Sequence, residues 1–434
     1  MTLPSLSHRA QALLVKLADI GVTGLYVLMP FHALMVIWLG SIFGYQDIFS
    51  LWKEVVITGL IVLTLAVVVL RHRMRSYVRA DTWLIIAMLS CGLVATLVGS
   101  GFGRAFLVGV KTTAFPLLLF LAVQLIARRF ADRRLALLLM IPASIVALLA
   151  LWQFVVIPTH LLTELGYNAK TIIPFQGIHP DLPFGRSFAT LGGPNQLGTY
   201  MILPGMVALG YAILSPGRRQ RFAAAAVYML LTLATVTSFS RSALVGYMFA
   251  SALVVVLAAP KKWRWWIAGG MVGLMAVVAF TAWFTLVTDS TSSLGRFLVR
   301  GELTAAGVVG GDEGHVSALV QGYETIRQHP FGLGFGAAGP ASLNGSRPLI
   351  TENWYLQIGI ELGLIGLVLM LVFLVHIGVE AIRSRPHSPV HIALAATLAG
   401  VAVAGLFLHT LTDSTLAILL FMTAGIVTAR RRHT

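Results

Sequence analysis

Twenty-one of the thirty-one lysines and arginines fall into seven short clusters, and long apolar runs separate the clusters. They are Arg9/Lys16, Arg71/Arg73/Arg75/Arg79, Arg128/Arg129/Arg133/Arg134, Arg218/Arg219/Arg221, Lys261/Lys262/Arg264, Arg383/Arg385 and Arg430/Arg431/Arg432. In a chain that crosses a membrane, short loops rich in Lys and Arg stay on the cytoplasmic side because they resist translocation. Two crossings between successive clusters predict an all-α polytopic membrane protein of twelve transmembrane helices, with both termini cytoplasmic. The spans fall at about 20–43, 54–70, 82–99, 105–126, 135–156, 195–214, 222–238, 241–259, 265–287, 353–382, 390–410 and 415–429. A bilayer core takes roughly 17–25 apolar residues per helix, and most of these runs comply.

The composition agrees. Of 434 residues, 57% are hydrophobic and 11% charged, against about a quarter charged in soluble domains. The net charge of +15 would suggest nucleic acid in a soluble protein. Here most of it is topogenic charge facing anionic lipid headgroups, so nucleic acid is excluded as a partner and membrane lipid takes its place. The single cysteine, Cys91, lies in an apolar run, which rules out an internal disulfide and a cysteine-based metal site. The first apolar run reads as a signal anchor that stays.

The chain is thus one integral membrane domain, 1–434, with two long external segments at 158–194 and 288–351. Connections longer than about fifteen residues are usually functional or disordered. These two carry aromatics and glycines, and are expected to be ordered. In the second, Val316, Leu319, Val320, Tyr323 and Ile326 follow helical spacing, with Ser317, Gln321, Glu324 and Gln328 opposite. This predicts an amphipathic helix, stopped by His329-Pro330 and a glycine-rich turn, Gly332–Gly336. Its apolar stripe is expected against the bilayer surface or the helix bundle.

Ten basic residues lie outside the clusters: Lys53, Arg104, Lys111, Lys170, Arg186, Arg241, Arg296, Arg300, Arg327 and Arg347. Arg186 and Arg241 stand out because they sit in Ser/Thr/Gly-rich breaks rather than flanking a helix. A guanidinium at the hydrocarbon edge costs a few kcal/mol unless it is paired or snorkels, and its planar fork suits phosphate oxygens. Lys111 lies inside the fourth span, where an intramembrane lysine has either a functional partner or a route to the headgroups. Arg104 reads as an anchor. Candidate bases are Glu352, His315, Glu324 and His329. Glu352 is expected to open the tenth helix, a position that favours a carboxylate electrostatically and lets it accept a proton from a hydroxyl. Asp312, Glu313 and His315 lack the oxygen ligands of a hard-cation site, so no metal is expected. His409 and Asp413 form a polar pair of no assigned use. Gly359, Gly363 and Gly366 read as a close-packing face.

Four pieces together resemble one family. They are the run Arg186–Asn195, the Ser240-Arg241-Ser242 turn, Gly314-His315 with Gln328–Gly336, and Glu352-Asn353-Trp354-Tyr355-Leu356 with Glu361-Leu362-Gly363. Their order and spacing are similar to the bacterial O-antigen ligase and O-antigen polymerase superfamily. The resemblance implies a GT-C-like membrane glycosyltransferase of the inner membrane, with its active site on the periplasmic face between the ninth and tenth helices and the earlier loop. It implies a donor glycan on undecaprenyl diphosphate, an inverting transfer without metal or other cofactor, and an acceptor glycolipid. The acceptor is a second lipid-linked repeat unit for a polymerase, or lipid A core for a ligase. Carried over by motif, Arg186 and Arg241 are expected at the diphosphate, and the unclustered cations Lys111 and Arg327 are expected to join them there. Asn195, Asn353, Tyr355, Glu324 and His329 are expected at the rest of the substrate, and Glu352 or His315 as the base. Ligases of the family have histidine where this chain has Glu352, a departure that resembles the polymerases. A lipid-linked glycan flippase or transporter is the rival class, disfavoured because the long loops are external and the link after the sixth helix is short.

Overall fold

A computed structural model describes residues 8–70, 79–126, 130–177, 184–271, 273, 302–304, 307–309 and 311–429. The chain is an all-α polytopic membrane protein. Among the described residues, eight helices are long and apolar enough to cross a membrane: Leu13–Phe43, Ala80–Val98, Arg104–Gln124, Asp132–Val156, Pro194–Leu214, Arg218–Thr237, Arg241–Ala258 and Trp354–Ser384. Trp52–Leu70 and the shorter apolar helices Pro389–Ala404 and Ser414–Ala429 occupy three more of the expected spans. The ninth span is helical over 264–271, and its remainder lies almost wholly outside the described residues, as do Arg296 and Arg300. One antiparallel hairpin pairs Glu302–Thr304 with Gly307–Val309.

The two shortest of these spans form the centre. Every residue of Ser414–Ala429 from Thr415 onward is buried, and Pro389–Ala404 is buried along most of its length. A helix apolar all round belongs inside a bundle. At 16 residues each, these two are about 24 Å long, and neighbouring helices screen them from lipid. The peripheral helix Arg218–Thr237 does the opposite, exposing Phe222, Met229, Leu233 and Val236.

Contacts across the bundle gather several basic clusters at one end. Arg134 pairs with Asp19 near Lys16 at 2.7 Å, Arg385 with Asp132 at 3.6 Å, and Arg79 donates to the Thr428 carbonyl at 3.3 Å. The unclustered cations Lys53, Lys111, Arg186 and Arg241 stand at the other ends of the helices that those clusters flank. These basic clusters therefore share one end of the bundle.

Several spans are broken where the sequence suggested continuous helices. The first turns through a short 3₁₀ segment, Met29–Phe31, at Pro30, because proline removes a backbone donor and crowds the preceding turn. The tenth runs from Trp354 to Ser384 with a break at Gly363, whose φ of 74° is closed to other residues at its ψ of 172°. The segment Arg104–Ile126 contains a π turn at Val110–Ala114. Phe239, with φ of 50°, separates Arg218–Thr237 from Arg241–Ala258 and establishes these as two helices.

The loop helix is present as Gly311–Gln328 and ends before His329-Pro330 as expected. Its apolar stripe is divided between the bundle and the outside. Leu319, Val320 and Tyr323 are exposed, and the contact with the tenth helix runs along Gly322 and Ile326. A Cβ on Gly322 would stand 3.0 Å from Leu356, and one on Gly359 would stand 2.8 Å from Ile326. Glycine lets the two backbones approach along a seam narrower than the hydrophobic stripe.

Candidate functional site

The segment Gly185–Thr190 is threaded between three elements, and hydrogen bonds to each of them hold it. Ser187 N–H donates to Thr237 O at 2.9 Å and its hydroxyl to Ala150 O at 2.9 Å. The amides of Phe188 and Ala189 share Gln153 Oε1 at 3.0 and 2.7 Å. Thr190 donates to Pro30 O at 2.6 Å, and Leu34 N–H donates back to Thr190 O at 3.2 Å. This scaffold fixes Arg186, whose Nε donates to Ser238 O at 3.1 Å and whose Nη2 donates to Asn195 Oδ1 at 2.8 Å.

Ser238 belongs to the break that ends at Arg241, the first residue of Arg241–Ala258. The two arginines are thus mounted on the same turn, and both are half-buried. A Cβ on Gly198 would sit 2.6 Å from Ala243 and 2.9 Å from the Ser238 hydroxyl, so Pro194–Tyr200 packs directly on that turn. Beside Arg186 a groove is lined by Gln153, Ile157, Pro158, Pro174, Phe175 and Gly185. Phe154 stacks on Phe184 with centroids 5.6 Å apart and lies 6.1 Å from Phe239. Cations, an amide and an aromatic platform in one place suit a phosphate attached to an apolar or sugar-bearing group. The aromatic trio was not foreseen; its signal is a phenylalanine in each of the three segments that flank the arginines.

Glu352 does not open the tenth helix. Asn353 is the N-cap, its Oδ1 accepting from Leu356 N–H at 2.9 Å, and Glu352 stands just outside with φ of 48°. Asn353 Nδ2 donates to Leu406 O at 2.8 Å, and the Tyr355 hydroxyl donates to Ala402 O at 2.6 Å. Those two residues anchor the helix end to the close of Pro389–Ala404, so their polar atoms serve the scaffold. Glu324 and Arg327 pair with each other at 3.0 Å on an exposed face of the loop helix, and His329 is exposed at its end. His315 is in the first part of that helix, with its side chain outside the described residues.

The glycine-rich turn is structural. Leu333 and Gly334 amides donate to the carbonyls of Ile360 and Glu361 at 2.7 and 3.1 Å, and Leu364 N–H donates to Pro330 O at 2.9 Å. The turn therefore satisfies the backbone groups that the break at Gly363 leaves open. The buried Glu361 carboxylate accepts from Thr113 at 3.1 Å and Gln357 at 3.3 Å, tying this seam to the π turn.

Lys111 is in a network of its own. Its ammonium pairs with Glu54 Oε1 at 2.9 Å, and Lys53 reaches the same oxygen at 3.2 Å. Lys53 Nζ lies 2.9 Å from His32 Nε2, while Trp52 Nε1 donates to His32 Nδ1 at 3.0 Å. Asp413 acts on Lys53 electrostatically. In the connection before Ser414, burial pushes the Asp413 carboxyl up to about 6 and the His409 imidazole down from its ordinary value.

Residues 224–371 match the family model described as O-antigen ligase, consistent with the ligase and polymerase superfamily whose motifs the sequence resembles. The match includes Arg241, the glycine-rich turn and Glu352, while Arg186, Lys53 and Lys111 lie ahead of it. It supports an O-antigen ligase- or polymerase-type membrane glycosyltransferase family. No curated protein matches the chain.

Proposed function

We propose that the protein transfers a glycan from undecaprenyl diphosphate to a sugar hydroxyl at the periplasmic face of the bacterial inner membrane, as an O-antigen or exopolysaccharide polymerase. The mounting of Arg186 and Arg241 on one turn carries this reading. A lipid diphosphate leaves readily once its charge is compensated, and pre-placed cations in a low-dielectric site supply that compensation. The acceptor oxygen attacks the anomeric carbon while the bond from that carbon to the phosphate oxygen breaks. The electron pair goes to the diphosphate held by the arginines, and the hydroxyl proton goes to Glu352 as general base. One displacement inverts the anomeric centre, and neither metal nor nucleotide takes part. The aromatic platform of Phe154, Phe184 and Phe239 flanks the arginines where the sugar or the first isoprene units would lie.

Glu352 in place of histidine favours polymerase over ligase; the description of the matching family model keeps ligase as the second reading. Purified protein with undecaprenyl-diphosphate-linked repeat units, with and without lipid A core, separates them. A ladder from lipid-linked units alone supports the polymerase. Product only when lipid A core is present makes the protein a ligase. No transfer under either condition, with the lipid-linked substrate still bound, refutes the enzyme reading.

A further inference from the structure

We infer that Lys53, Glu54 and Lys111, braced by His32, form a second subsite for the sugar-phosphate end of a lipid-linked glycan, separate from the arginine pair. On the transferase reading, on which this rests, it holds the carrier of the acceptor. Lys53 is only 7% exposed, and a buried ion pair is a poor device for stability alone, since apolar side chains of similar size usually serve as well. The geometry is also uneven. Both ammonium groups converge on Glu54 Oε1, whereas Oε2 is buried and has no hydrogen-bond partner among the described residues. Two convergent donors beside an unsatisfied carboxylate acceptor match a phosphate that carries a sugar hydroxyl, and match a bare phosphate poorly because Glu54 repels it.

The donors are held in place before any ligand arrives. Trp52 and His32 brace Lys53, and Lys111 rides on the widened π turn that Thr113 ties to Glu361. Such π turns are frequent at functional sites. The cluster also adjoins the arginine site. His32 follows the Met29–Phe31 turn to which Thr190 is bonded, and four residues from Arg186 to Thr190 span at most about 14 Å. A polymerase must hold two diphosphate carriers at once, and one pair of arginines holds one.

The test is binding stoichiometry on the full-length protein in phosphatidylcholine nanodiscs, with a short-chain polyprenyl-diphosphate-linked sugar as probe. Wild type is expected to bind two, Lys111→Met or Lys53→Met one, Arg241→Ala one, and Lys111→Met with Arg241→Ala none. Glu54→Gln is expected to bind sugarless farnesyl diphosphate about tenfold more tightly by removing the repelling charge, a gain that a misfolded variant does not give. Two probes on wild type and on both lysine variants, or one probe on wild type that the lysine variants keep, overturns the subsite and leaves a structural ion pair. Loss at the lysine variants with Arg241→Ala unchanged instead supports the subsite and removes the arginine site. Displacement of the second probe by phosphatidylglycerol nanodiscs overturns the assignment in favour of a bilayer headgroup.

Discussion

Arg186 Nη2 donates to Asn195 Oδ1 at 2.8 Å, so a residue capable of holding phosphate is aimed by an amide on the next helix. Hydrogen bonds to charged groups contribute about 1.5–3 kcal/mol. Asn195→Ala is therefore expected to cut transfer about tenfold or more, and Arg186→Ala about a hundredfold or more, as for loss of a charge-stabilising donor. Asn195→Asp should be worse than Asn195→Ala, because a carboxylate neutralises the guanidinium and repels the diphosphate. Steady-state kinetics on the lipid-linked donor decide it; an Asn195→Asp protein as active as wild type would sink the assignment.

Glu352 combines a chemical role with a strained backbone, and the two can be separated. Its φ of 48° is left-handed, which costs an L-residue about 1–2 kcal/mol, partly offset in glycine by the greater entropy of its unfolded chain. Glu352→Gly is expected to raise stability by up to about 1 kcal/mol while abolishing transfer. Glu352→Gln should keep donor binding and lose about a hundredfold or more in turnover, the range for a general base. Thermal unfolding and single-turnover transfer read the two effects independently. A fully active Glu352→Gln protein would move the base elsewhere, with His315 next in line.

Legibility followed how local each signal is. Topogenic charge acts loop by loop, so the alternation of spans could be read directly. Pro30 carries a break signal that a continuous span over 20–43 passes over, whereas Gly363 looks like any small residue on a packing face until Phe331 is seen against it. Arg186 and Arg241 were visible because guanidinium groups in Ser/Gly breaks need partners. Their meeting through Ser238 was not, since it joins distant segments. Nothing in the sequence singles out Glu54; only folding brings Lys111 to it. Asn353 and Tyr355 looked like ligand contacts, yet an asparagine just before Trp354-Tyr355-Leu356 is also a helix cap, and capping is what it does. Glycine at 322 decided which edge of the loop helix would be buried, leaving Leu319, Val320 and Tyr323 outside.

Gly363 gives a test of the seam that closes the broken helix. A Cβ there would stand 2.6 Å from the Phe331 carbonyl group, in a backbone region closed to alanine. Gly363→Ala is expected to cost about 3 kcal/mol or more. Gly101, also at positive φ but with nothing within 4 Å, supplies the comparison: Gly101→Ala should cost only about 1 kcal/mol. Equal losses of thermal stability in the two variants would mean that the seam contributes nothing beyond backbone strain.

The sidedness of the chain follows from the clusters and can be measured without any substrate. Gln220 lies in the Arg218/Arg219/Arg221 cluster and Lys170 in the long segment after Asp132–Val156, and both are exposed. In a Cys91→Ala background, Gln220→Cys and Lys170→Cys each carry one thiol, because Cys91 is the only native cysteine. A membrane-impermeant maleimide added to intact cells with a permeable outer membrane should label position 170 and leave 220 unmodified until the inner membrane is opened. The reverse pattern would put the basic clusters outside, against the free-energy bias that keeps Lys- and Arg-rich loops in the cytoplasm. It would also place Arg186 and Arg241 on the face where a periplasmic polymerase or ligase has no acceptor. Labelling of both positions in intact cells would instead break the alternation between them, which the intervening helix Pro194–Leu214 requires.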